Sequence, residues 1–71
     1  MTLKDLRENL AYNQTYVAGY CGVTEVTVSR WENGQNEPRP HQIRMLSQLY
    51  GVSIADVRAA IRATAEKPRS E

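Results

Sequence analysis

Residues 14–34 read QTYVAGYCGVTEVTVSRWENG, and the fold turns on this stretch. Val17, Ala18 and Cys21 recur at the spacing of one helix face. Asn13, just before them, is a good N-cap, because its short side chain can accept from an amide of the first turn. Gly22 follows as a residue free to take positive φ, the conformation in which helices often end. Thr24 caps a second short helix, in which Val28 and Trp31 face inward at i and i+3, and Asn33-Gly34 stops it. That spacing makes Trp31 a core plug. Val17, Ala18, Cys21, Val23, Val28 and Trp31 let the two helices clamp at a steep angle across Cys21-Gly22-Val23.

Outward from this pair the punctuation predicts three more helices. Thr2 with Asp5 forms a capping box, since the carboxylate three residues on can reach back to the cap amide. Leu3, Leu6 and Leu10 then make one apolar stripe. Residues 35–41, QNEPRPH, form a polar loop whose prolines resist helix, unless Pro40 instead enters the first turn of helix four. That helix carries Ile43, Leu46, Leu49 and Tyr50, and Gly51 closes it. Ser53 with Asp56 makes a second capping box, opening a fifth helix with Ile54, Val57 and Ile61 as its apolar positions. No repeat, low-complexity tract or strand pattern is legible. The expectation is an all-α, compact five-helix domain over residues 1–64, with a flexible tail at 65–71.

Composition narrows the functions such a domain can have. At 71 residues the chain can build one modest core, burying about 60% of its unfolded surface. Hydrophobic residues at 41% and charged residues at 24% oppose disorder. No apolar run approaches the roughly 18 residues of a membrane span, and Met1 to Asp5 carry no apolar signal segment. The single cysteine, Cys21, allows no internal disulfide and no four-ligand zinc site, and is expected to be a small buried hydrophobe. The single histidine, His41, sits in the polar loop and is expected to be solvated. No acid, base and nucleophile converge in sequence, so neither enzyme, cofactor nor metal is expected. A reducing cytoplasm fits this usage. The net charge is only +1, with Arg44, Arg58, Arg62, Lys67 and Arg69 carrying the late basic excess, so composition alone does not suggest nucleic acid. Arg58 and Arg62, four apart, read most simply as a solvated face.

The layout of 14–34 is that of a helix-turn-helix, in which one helix crosses the DNA backbone and the next enters the major groove. The residues Asn13-Gln14, Val17-Ala18, Gly22-Val23-Thr24, Thr27 to Gly34 and Pro38 closely resemble the phage-repressor and Cro family, also called Xre-type or lambda-repressor-like domains. Val28-Ser29-Arg30-Trp31-Glu32-Asn33-Gly34 is the most diagnostic part, and Gly51-Val52-Ser53 with Ile54 and Asp56 resembles the start of that family's fifth helix. The likeness covers about residues 3–61.

The resemblance implies roles. Gln14 and Asn33 match phosphate-contacting positions, and the free N–H groups of a helix N-terminus suit Gln14 to that task. Thr24, Glu25, Val26, Thr27 and Arg30 match positions facing the bases. Arg30 can fork onto guanine or remain a phosphate or surface charge, Glu25 can accept from a cytosine amino group, and Val26 can touch a thymine methyl. Arg7 and Glu32 match a partly buried ion pair joining helix one to the end of helix three. The implied function is a transcriptional regulator, a phage or prophage repressor or Cro-like switch, binding operator DNA as a homodimer. Tyr16, Gly19 and Tyr20 depart from the family's usual polar residues on helix two. They leave open a second reading: a protein-interaction module, such as an antirepressor or antitoxin, that uses Tyr12, Tyr16 and Tyr20 as its surface.

Overall fold

The computed structural model describes residues 1–66 and contains five helices: α1 (Leu3–Asn9), α2 (Gln14–Cys21), α3 (Glu25–Glu32), α4 (Pro40–Tyr50) and α5 (Ile54–Glu66). Each of four starts is set by a short polar side chain one residue before the helix. Thr2 Oγ1 accepts from the Asp5 amide while the Asp5 carboxylate accepts from the Thr2 amide, a complete capping box. Asn13 Oδ1 accepts from the Tyr16 amide, Thr24 Oγ1 from the Thr27 amide and Ser53 Oγ from the Asp56 amide. Helix α4 begins differently. Pro40 is its first residue, where a missing N–H removes no helical bond, so the polar loop stops at Arg39.

Among the described residues all regular structure is helical, and the five elements bury one core. Helix α2 packs on α3 and α4, α4 on α5, and α1 on both α5 and α3. Val17, Val28, Leu46 and Val57 are the largest fully buried side chains, one from each helix of α2 to α5. Leu3 and Leu6 close the core from α1, and Trp31 fills it beneath α3. The Gly22 linker has φ +71°, a value that carries the chain out of α2 left-handed without a Cβ penalty.

Three expectations need correction. Leu10 does not extend the α1 stripe: the helix ends at Asn9, Leu10 is its C-cap, and Ala11 at φ +58° turns the chain away, leaving Leu10 43% exposed. Ile54 is 41% exposed, because it is the first residue of α5 and projects before the helix reaches α4 and α1. Helix α5 continues past Thr64 to Glu66, so the tail does not begin at residue 65; the rest of the expected tail, 67–71, lies outside the described residues. Thr64 itself is buried. Its hydroxyl donates to the Ala60 carbonyl at 2.8 Å and accepts from the Leu3 amide at 3.0 Å, pinning the start of α1 to the end of α5.

Candidate nucleic-acid interface

Helix α3 is amphipathic in a way that leaves one face unused by the core. Val28 and Trp31 are buried, whereas Glu25, Val26 and Arg30 are exposed, with Val26 57% accessible. Residues 26, 29, 30 and 33 are three or four apart, so they share one stripe. An isolated eight-residue helix is marginal in water, so α3 holds its shape through this packing and its caps. At its start the Thr24 and Thr27 hydroxyls stand 3.1 Å apart, one donating to the other, and Thr24 Oγ1 also caps the Thr27 amide. Thr24 therefore serves the helix first. At its end Asn33 is exposed, and its Nδ2 donates to Ser29 Oγ at 3.4 Å. Ser29, half-buried on the stripe, is a residue that sequence reading missed; its position midway between Glu25 and Asn33, four from each, was the available signal.

A polar joint fixes this stripe relative to the rest of the domain. Arg7 Nε donates to Glu32 Oε2 at 2.6 Å and Arg7 Nη2 to Glu32 Oε1 at 3.1 Å, a two-point fork. Arg7 Nη1 donates to the Tyr12 carbonyl at 3.0 Å, so one guanidinium ties α1, the α1–α2 turn and the end of α3 together. The side chains are 12% and 5% exposed respectively. The hydrogen bond to Glu32, outweighing burial, holds the Arg7 guanidinium above its ordinary range. Burial, and then the charge on Glu32, pushes the Tyr50 phenol well above its ordinary value.

Gln14 joins the same network. Its Nε2 donates to Glu32 Oε1 at 3.0 Å, so the side-chain amide is already engaged within the protein. What remains for a ligand is the start of α2, where the main-chain N–H groups of Gln14 and Thr15 lack helical acceptors, that of Tyr16 being taken by Asn13. Neighbouring Tyr12 and Tyr16 rings lie 4.7 Å apart at 41°, and Tyr16 and Tyr20 are 52% and 40% exposed. A cleft of about 380 Å³ is lined by Met1, Leu6, Val52, Asp56, Ala59 and Ala60 and takes no residue from α2 or α3. Among the described residues no three His, Cys, Asp or Glu side chains are grouped as a metal ion would require, and no helix is long and apolar enough to cross a membrane.

Two short helices set by caps at Asn13 and Thr24, a left-handed glycine between them, and a second helix with a free outer stripe define a helix-turn-helix domain. The chain belongs to the helix-turn-helix family, whose sequence profile matches residues 3–57, as its likeness to phage repressors and Cro proteins implies. It is similar to the cryptic phage CTXphi transcriptional repressor RstR of Vibrio cholerae, with 34% identity over 55 residues, covering 78% of this chain and 50% of that protein. The chain thus spans about half the length of the curated relative it matches. No solved structure matches it significantly.

Proposed function

We propose that this chain is a sequence-specific DNA-binding regulator of the repressor type, which lays α3 in the major groove and anchors α2 on the adjacent backbone. The observation that carries this reading is the free stripe of α3, held over a buried Trp31 and clamped at its far end by the Arg7–Glu32 fork. Arg30 and Glu25 would read bases, with Val26 against a thymine methyl and Thr27 beside them. Thr24 would reach a base only with the lone pairs its capping bonds leave free. Asn33 and the α2 amides at Gln14 would hold phosphates. A homodimer would place two such helices about 34 Å apart in successive grooves and block polymerase sterically. Such a protein acts where DNA is, in the cytoplasm of a bacterium or an infected host.

Binding-site selection from random duplex DNA tests the assignment. Arg30→Ala is expected to relax preference at one base-pair position, at a cost of about 1–3 kcal/mol. Asn33→Ala and Gln14→Pro, which removes the main-chain N–H at a first helical position that proline tolerates, should weaken selected and random DNA by similar factors. Uniform loss from Arg30→Ala would reassign Arg30 to the backbone; a changed consensus from Asn33→Ala would overturn its phosphate role.

The second reading, a protein-interaction module, is favoured by one observation. No charged residue occurs from Asn9 to Thr24, and Leu10, Tyr16 and Tyr20 are exposed within that span. Interface cores share that depletion of charge and enrichment in tyrosine. Salt separates the two readings, because phosphate contacts release counterions and a protein contact largely does not.

A further inference from the structure

The chain has four asparagines, Asn9, Asn13, Asn33 and Asn36, followed respectively by Leu10, Gln14, Gly34 and Glu37. An asparagine side chain is open to attack by the main-chain nitrogen of the next residue. The nitrogen forms a bond to the side-chain carbonyl carbon, the bond to the side-chain nitrogen breaks, and ammonia leaves a five-membered succinimide. Water then opens the ring at either carbonyl, giving aspartate or isoaspartate. A side chain on the following residue crowds that nitrogen, and only glycine leaves it bare. Asn33 is the one asparagine so placed.

The structure distinguishes these sites further. Asn13 is committed as an N-cap through Oδ1, at 2.8 Å from the Tyr16 amide. Asn33 is exposed, and its side chain makes a 3.4 Å bond to Ser29, longer than the 2.7–3.2 Å of ordinary hydrogen bonds, while its main-chain N–H donates to the Ser29 carbonyl at 2.9 Å. The turn around it is nonetheless in a closed form. Asn33 has ψ 0°, which sets the Gly34 nitrogen turned away from the Asn33 Cβ. The Gly34 amide donates to the Trp31 carbonyl at 3.3 Å. Gly34, at φ +76°, rests on the end of α5, where a Cβ would stand 3.4 Å from the Thr64 carbonyl oxygen. Ring closure therefore requires the amide to leave Trp31 and swing to the Cβ side. Those two bonds, at 3.3 and 3.4 Å, are long and lie in an exposed turn that the Gln35 amide also closes onto the Arg30 carbonyl at 2.9 Å, so the opening required is local rather than global.

We infer that Asn33-Gly34 is a spontaneous deamidation site, gated by local opening of the turn after α3, and that its conversion switches off the DNA-facing surface. The second half rests on the phosphate role proposed for Asn33. The product replaces a donor by an acceptor-only anion at that position. It also sets a negative charge at a helix C-terminus, where the dipole is already unfavourable to it. Isoaspartate additionally lengthens the main chain by one atom at the C-cap. A phosphate seated on Asn33 keeps the turn closed, so bound protein ages more slowly than free protein.

The test incubates the full chain at 37 °C and mildly alkaline pH in three forms: native, urea-unfolded, and native with excess random duplex DNA. Peptide mapping then reads amide-to-acid conversion at each asparagine. Conversion should concentrate at Asn33, run faster in urea, and slow on DNA. Equal rates in urea and buffer would overturn the gate, and no native conversion at Asn33 alongside conversion in urea would overturn the site. The converted fraction, separated by charge, and the Asn33→Asp variant should each bind random duplex at least about tenfold more weakly, the loss of a hydrogen bond to a charged group. Asn33→Gln, whose ring would be six-membered, should stay unconverted. Undiminished binding by Asn33→Asp and by the converted fraction would overturn the phosphate role, a result the mass measurement reports separately from the chemistry.

Discussion

Glu32→Ala is expected to cost most of the domain's stability without removing any side chain assigned to DNA. The Glu32 carboxylate accepts two bonds from Arg7 and one from Gln14. Alanine removes both acceptor oxygens, and with them all three bonds, and leaves the Arg7 guanidinium, 12% exposed, with the Tyr12 carbonyl as its remaining hydrogen-bond acceptor among the described residues. Arginine cannot shed its proton to escape, so the charge stays buried and unpaired. Breaking a buried pair in this way typically costs about 3–5 kcal/mol. A 71-residue domain has about 4–10 kcal/mol in total. At about 4–8 °C per kcal/mol for a small domain, the melt should fall by about 12–40 °C.

The double change Arg7→Leu with Glu32→Leu removes both charges and should recover about half of the loss. Recovery is incomplete because the Tyr12 carbonyl and the Gln14 amide lose their partners as well, and an unsatisfied buried group costs about 1–3 kcal/mol. Circular dichroism melts of both single variants and the double close the thermodynamic cycle. If each single variant melts within about 2 °C of wild type, the pair contributes only what a solvated surface pair does, and the joint does not hold α3 in place.

Gly19→Ala should raise stability by about 1 kcal/mol, because Gly19 lies inside α2 and an added Cβ meets nothing within 4 Å; a melt unchanged or lowered contradicts this. Ala11→Gly should also stabilise. An L-residue in the left-handed region costs about 1–2 kcal/mol, of which glycine's extra chain entropy returns about 0.5–1, and urea titration should show the midpoint rising. At high pH the domain should weaken. The Cys21 thiol and Tyr50 phenol are held above their ordinary values of 9.0 and 10.0 chiefly by burial, so the unfolded chain ionises first. Their contribution is complete below about pH 9 and is lost as pH rises from there, which thermal melts in a pH series will show as a falling midpoint.

Much of this domain follows from its sequence alone, because its signals act over four residues or fewer. The caps at Thr2, Asn13, Thr24 and Ser53, the left-handed Gly22, and the i+3 or i+4 spacing of Val17 with Cys21, Val28 with Trp31, Ile43 with Leu46 and Val57 with Ile61 each work within one turn. A short polar side chain before an apolar stripe starts a helix whatever lies elsewhere in the chain. The Arg7–Glu32 pairing spans 25 positions and was legible only through the resemblance to phage repressors and Cro proteins. Other features needed the tertiary structure. Leu10 and Ile54 have the right spacing to be buried, yet a spacing does not say where a neighbouring helix ends, and both sit where their neighbours cover them only in part. Thr64 carries no apolar signal, but its hydroxyl meets the Leu3 amide across 61 residues once α1 crosses α5. Gln14 is placed by its sequence at the start of α2, and only the approach of α3 decides that its amide turns inward to Glu32. Helix positions follow from local propensity and periodicity, whereas the partner of a polar side chain depends on how the helices cross, and that geometry is set by the packed core as a whole.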